Sequence, residues 1–183
     1  MRIVPLGSEH ALDLARYANE ETFRFFAYNH IDLGVMEEYI RNAWLRPDTV
    51  PFAICLADTG EAIGSSCYLD IRPAHLGLEI GMTWYGEPHR GTAVNPESKL
   101  LLMEFAFEQL GYERVQLKTD GRNLRSQAAI AKLGAKHEGV LRKHMTMPDG
   151  YLRDTVMYSI IREEWPAVKA GLIARLDALT SQG

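Results

Sequence analysis

Hydrophobic and polar positions alternate along this chain with two periods, and the changes of period predict its elements. Arg2 to Leu6 reads as a short strand, and Pro5 fits such a strand best at a sheet edge. Gly7-Ser8-Glu9 then supplies a break and a cap, after which Leu12, Leu14 and Tyr17 begin an apolar stripe at roughly helical spacing. Val35 to Leu45 predicts a second helix. From Val50 the period shortens: Pro51 to Leu56, Ala62 to Ile71 and Leu76 to Trp84 are β-rich runs separated by turn residues, the pattern of an antiparallel meander. Beyond it the order becomes strand, helix, strand, helix, strand. Asn95 caps a helix that has Pro96 at its first position and Gly111 at its end; Arg114 to Thr119 is a strand; Asn123 to Leu133 is a helix stopped by Gly134. Strands around Glu138 to Met147 and Tyr151 to Ile161 meet at Pro148-Asp149-Gly150, and Trp165-Pro166 opens a terminal helix.

Composition narrows the class. A chain of 183 residues with 46% hydrophobic and 24% charged residues can bury one sizeable core, so residues 1–183 are expected to form one domain, alone or as an oligomer such as a homodimer. A formal net charge of −4 argues against a partner held by phosphate neutralisation, and nucleic acid is not expected. The opening MRIVPLGSEHALDL lacks the basic-then-apolar order of a secretory leader, and no apolar run approaches the ~20 residues that span a bilayer. A cytoplasmic location without membrane contact is therefore expected. Cys55 and Cys67 flank the turn Asp58-Thr59-Gly60-Glu61. If Asp58 pairs with Glu61, Cys55 faces Gly64 and Cys67 faces Phe52, so buried free thiols are expected. The six histidines show no ligand spacing, and no metal site is expected.

Two segments carry chemistry. The first, Trp84-Tyr85-Gly86-Glu87-Pro88-His89-Arg90-Gly91-Thr92-Ala93-Val94-Asn95-Pro96, leads from a strand through a glycine-bearing loop into a helix. Such a loop aims backbone N–H groups and the positive end of a helix dipole at one point, where a phosphate would sit. A tight turn that merely needs Gly91 would look the same. The second segment, Thr119-Asp120-Gly121-Arg122-Asn123-Leu124-Arg125-Ser126, again opens a helix.

Taken together, these segments resemble the GNAT superfamily of N-acetyltransferases, particularly its RimJ/RimL-like branch. The later stretches His137-Glu138-Gly139-Val140-Leu141-Arg142, Asp149-Gly150-Tyr151-Leu152-Arg153-Asp154 and Glu164-Trp165-Pro166 are similar to that branch as well. The resemblance covers roughly residues 50 to 165. It implies an α/β fold with a mixed, mostly antiparallel sheet of about seven strands flanked by helices, splayed where acetyl-coenzyme A enters. It also implies a loop of pattern Gln/Arg-x-x-Gly-x-Gly/Ala on the coenzyme A pyrophosphate, matched here at Gly91 and Ala93, so that the donors would come from Arg90, Gly91, Thr92, Ala93, Val94 and Asn95, and an asparagine, here Asn123, on the pantetheine arm. Pro88 stands where the family has Gln or Arg, and Ile130 where many relatives have a proton-donating tyrosine. In this branch a serine three residues after the asparagine is the suggested substitute, here Ser126.

An acetyl transfer needs a neutral amine, a polarised carbonyl and a proton acceptor. Glu79, in Leu78-Glu79-Ile80-Gly81, sits on the strand before the phosphate loop, where GNAT relatives often place a carboxylate. Its apolar neighbours predict partial burial, which raises a carboxyl's basicity; an exposed strand carboxylate, or one in a structural ion pair, is the competing expectation. His75, His89 and His144 are reserve bases. Trp84, Tyr85 and Tyr158 border the acceptor site or belong to the core. The resulting expectation is an enzyme that moves acetyl from acetyl-coenzyme A to an amine by direct attack, with a small molecule or a protein N-terminus as acceptor. A non-catalytic acetyl-coenzyme A sensor is the alternative.

Overall fold

The computed structural model describes residues 1–26 and 33–181, without the side chains of residues 33 and 180. Its strands are β1 (Arg2–Pro5), β2 (Val50–Cys55), β3 (Ala62–Arg72), β4 (Gly77–Tyr85), β5 (Arg114–Asp120), β6 (Lys136–Thr146) and β7 (Leu152–Ile161). Its helices are α1 (Ala11–Tyr17), α2 (Glu20–Phe23), α3 (Leu33–Trp44), α4 (Val94–Glu104), α5 (Leu124–Ala131) and α6 (Trp165–Thr180). The strands form one seven-stranded sheet in the order β1-β2-β3-β4-β5-β7-β6, antiparallel except between β4 and β5. The predicted α/β architecture is therefore the observed one, with Pro5 on an edge strand.

Alternation along the strands feeds two cores. Leu78 and Ile80 of β4, Val115 and Leu117 of β5, and Val156, Tyr158 and Ile160 of β7 face α4, α5 and α6 and bury Met103, Phe107, Leu133 and Trp165. On the other face Leu6, Leu14, Phe23, Met36 and Ile40 pack with Ala53, Ala62 and Trp84. Ile80 and Trp84 are four residues apart and would share a face in a regular strand. They do not, because β4 carries a bulge: Ser65 faces Trp84 while Cys67 faces Gly81, so Met82 and Thr83 together oppose Ser66. Met82 accordingly takes φ of 49°.

Three local expectations change. The β2–β3 register is offset by one from that drawn through Asp58 and Glu61: Ile54 pairs with Gly64, Phe52 with Ser66 and Pro51 with Cys67, and an irregularity at Ile54/Cys55 then sets Cys55 opposite Ala62. Both thiols are nonetheless buried and free. Leu12 lies outside the core at 55% exposure, because α1 turns Ala11 and Leu14 inward instead. Finally, the helix predicted from Asn95 to Gly111 starts at Val94, with Ala93 as its cap residue, and its last turns widen into a π-helical segment, Phe105–Gln109. That widening, closed by Leu110 N–H donating to Phe105 O at 2.9 Å, buries Ala106 and Phe107.

Candidate functional site

The parallel pairing of β4 with β5 is short. Gly77, Leu78 and Glu79 pair with Arg114, Val115 and Gln116, and then the strands part. β4 stays with β3 and turns away at its bulge, while β5 stays with β7 as far as Asp120. A wedge opens between Ile80–Tyr85 and Leu117–Asp120, and two cavities occupy it. The larger, about 430 Å³, is bounded by the loop before α4, the start of α5 and α6. The smaller, about 210 Å³, lies against Glu79, Asp120 and Arg153. Met82, Thr83, Asn123 and Ser126 line both, so the two spaces adjoin along the bulge and the α5 start.

The loop into α4 is built by short-range bonds. Gly91 has φ of +76°, a left-handed conformation that only glycine adopts without strain. Thr92 Oγ1 donates to His89 O at 2.8 Å and accepts from Val94 N at 3.3 Å. Arg90 spans the loop: Nε donates to Tyr85 O at 3.0 Å and Nη2 to Thr22 Oγ1 at 2.5 Å. Burial and the neighbouring Arg125 guanidinium lower its pKa. Asn95 is not the helix cap predicted for it; it lies inside α4, where its Oδ1 accepts from Tyr85 Oη at 3.2 Å. Arg90, Gly91, Thr92 and Asn95 line the larger cavity, whereas Ala93 and Val94 lie behind it.

At α5, Asn123 is a true cap, its Oδ1 accepting from Ser126 N at 3.0 Å. The starts of α4 and α5 thus face one cleft. Ser126 Oγ makes no hydrogen bond among the described residues and lines both cavities. Glu79 lines only the smaller one. It is 1% exposed, its Oε2 2.9 Å from Lys118 Nζ and 3.3 Å from Gln116 Nε2, so it takes part in the ion pair that was the competing expectation. Gly81 has no room for a Cβ, which would meet Glu79 Oε1 at 2.6 Å and Leu69 Cδ1 at 2.9 Å. None of the three reserve histidines lines either cavity: His89 contacts Tyr17 and His144 contacts Thr155. Trp84 and Tyr85 do line the cleft, while Tyr158 belongs to the core.

Sequence reasoning missed most of the cations. Arg125, Lys132 and Arg175 join Arg90 around the larger cavity, and Arg175 Nη1 is buried without a partner among the described residues. Lys99, 5% exposed, reaches from α4 to the bulge, where its Nζ donates to Thr83 Oγ1 at 2.7 Å; burial pushes its pKa down to about 7. A signal existed for Lys99 alone, which precedes the buried Leu102 and Met103 by three and four residues and so lies on the inward stripe of α4. The described residues contain no cluster able to hold a metal ion, and no helix among them is long and apolar enough to cross a membrane.

A splayed sheet with two helix starts and several cations around a cleft presents backbone donors and positive charge suited to an anionic ligand. Comparison with known proteins supplies the family. The Acetyltransferase (GNAT) domain matches residues 1–136, and the chain belongs to this family of acetyltransferases, whose members use acetyl-coenzyme A. It is similar to an uncharacterized N-acetyltransferase, p20, of Bacillus licheniformis, 27% identical over 130 residues that cover 71% of this chain and 72% of that protein. A solved acetyltransferase-family chain from T. thermophilus is 40% identical with TM-score 0.89, covering 96% of this chain and 93% of that one. RimJ of Mycobacterium smegmatis, solved in complex with CoA-disulfide, has TM-score 0.79 at 19% identity over 94% of this chain and 88% of that one, a likeness of fold.

Proposed function

We propose that this enzyme transfers acetyl from acetyl-coenzyme A to an amine by direct attack, with both substrates bound at once. The observation that carries this reading is the meeting of two cavities at Met82, Thr83 and Ser126, one walled by helix starts and cations, the other by a carboxylate. The residues of the larger cavity fit acetyl-coenzyme A: Arg90, Gly91, Thr92 and Asn95 stand at the start of α4, and the buried, unpartnered Arg175 Nη1 seeks an anion. Bound there, acetyl-coenzyme A supplies the activated acyl group. The new C–N bond forms as the C–S bond breaks, and the proton lost by nitrogen balances the one gained by sulfur.

Within that scheme Asn123 holds the start of α5 beside the pantetheine arm, and Ser126 Oγ, with no competing bond, donates to the departing sulfur. Glu79 receives the amine proton, directly or through water. No acetyl-enzyme is invoked, since both thiols are buried and burial pushes Cys67 up to about 12, far from a usable thiolate. A small amine and a protein N-terminus both suit this scheme, and residues 1–183 act in it as one domain.

The test is steady-state thiol release over a panel of amines. Turnover of at least one amine is expected, with Glu79→Gln lowering kcat and leaving acetyl-coenzyme A affinity nearly unchanged. Tight cofactor binding with no turnover of any amine would instead make the protein a sensor.

A further inference from the structure

We propose that the acceptor amine carries a carboxylate of its own, as an α-amino acid does, and that Arg153 binds that carboxylate in the smaller cavity. This inference rests on the transfer reading above and deepens it.

Arg153 lies on β7 beyond the last pair with β5, Asp120–Thr155, and opposite Met145 of β6. Strand alternation sets it on the face of Thr155, away from Val156 and Tyr158, and therefore on the side where Glu79 stands. It is only 9% exposed and it lines the smaller cavity. Its Nε is buried with no hydrogen-bond partner, and its guanidinium forms no ion pair among the described residues. The two carboxylates on the cavity wall, Asp120 and Glu79, attract Arg153 through space without bonding to it, and burial outweighs them; each is bonded to a nearer cation. Glu79 is held by Lys118 at 2.9 Å, and Asp120 by Arg122, whose Nη2 and Nε lie 2.9 and 3.1 Å from its oxygens.

Burying a guanidinium without a partner is costly, and a chain that needed only packing at this point would gain from an aliphatic residue. Arginine stays charged even where burial lowers its pKa, as it does here. The missing partner is then an anion delivered by the ligand, and a planar fork of donors matches a carboxylate. Size points the same way. About 210 Å³ is below the ~300–1,000 Å³ of pockets for drug-sized ligands and suits a molecule of amino-acid dimensions. Leu69 and Met145 give an apolar wall for its side chain, and the shared lining at Thr83 and Ser126 puts the amine at the mouth of the cofactor cleft. A polyamine would instead face Arg46, Lys118 and Arg153 together.

Matched acceptor pairs test this: leucine against isoamylamine, and phenylalanine against phenethylamine, with spermidine and an alanyl peptide alongside. Thiol release should favour at least one amino acid over its decarboxylated partner by about 30-fold or more in kcat/KM, the lower end expected for a buried, hydrogen-bonded charge pair. Arg153→Met should erase most of that preference by raising the amino acid's KM, leave the KM for acetyl-coenzyme A unchanged, and hold or raise Tm because an unpaired buried cation is gone. Arg153→Lys should restore part of the preference. Faster turnover of the decarboxylated amines, spermidine or the peptide overturns the proposal while leaving acetyl transfer intact, and so does an undiminished preference in Arg153→Met. Should that variant fail to fold, the matched pairs with the parent protein still decide. Absence of turnover with every amine removes the transfer reading, and this inference with it.

Discussion

Lys99 shows how one side chain can set a pH dependence. A lysine enclosed between α4 and β4 with a threonine hydroxyl as its hydrogen-bond partner loses hydration that Thr83 replaces only in part, which is why its pKa falls to about 7. The ordinary lysine value is ~10.4, so between the two the unfolded chain holds a proton that the folded chain has released. Stability from this residue therefore rises with pH across that window and is lowest below it. Lys99→Met removes the slope. Thermal melts at a series of pH values should show the variant gaining on the parent most near pH 6 to 7 and least near pH 10. Parallel curves for the two proteins would rule out a depressed lysine at this position.

At the scale of elements, the starts of α4 and α5 are separate devices with separate tests. Asn123→Ala removes a cap bond to Ser126 N, which costs about 1 kcal/mol and about 2–4 °C in Tm for a chain of this size. If Asn123 also meets the pantetheine arm, the same variant raises the KM for acetyl-coenzyme A, whereas Ser126→Ala mainly lowers kcat. Wild-type kinetics in both variants would leave α5 with a structural role only. At the α4 loop a β-branched residue suits φ of +76° poorly, although open space surrounds the position. Calorimetry on Gly91→Val should therefore show weaker coenzyme A binding through a shifted backbone. Unchanged affinity in a folded variant counts against this loop as the phosphate site.

Across the whole molecule, the wedge requires that β4 and β5 be clamped at one end so that they can part at the other. Arg114 stands at the clamped end, paired with Gly77 on one side and Ile161 on the other. Its guanidinium reaches over β7 to Glu138 of β6, with both Nη atoms on the carboxylate, and Ser159 Oγ adds a bond at 2.7 Å. The Arg114 hydrogen bonds hold the Glu138 carboxyl down to about 2. A carboxyl with a depressed folded value contributes stability above its unfolded value and loses it as pH falls toward the folded one, here from ~4.3 to about 2. Glu138→Gln should therefore lower the urea midpoint at pH 7 and close the gap to the parent near pH 2. An equal deficit at both pH values would show that the ion pair is not the cause.

The sequence by itself determined most of the elements and the faces of their regular stretches, because alternation along a strand and capping at a helix start are local. β2 to β4, β5, β6 and β7 follow from period and turn chemistry, and Asn123 as a cap follows from its place before a helix. The two segments proposed to bind the cofactor were legible for the same reason, each being contiguous in the chain. What sequence could not supply was decided by pairing and by approach. The β2–β3 register moved by one residue at an irregularity that no turn residue announces. The bulge at Met82 carries neither glycine nor asparagine at its left-handed residue, and it alone sends Ile80 and Trp84 to opposite cores. Nothing in the local sequence of Arg153 marks it as buried; in the fold it is 9% exposed and lines a cavity with Leu69, Glu79 and Met145, which come from other strands. A charge's burial depends on what the fold lays over it, and that is a property of tertiary structure alone.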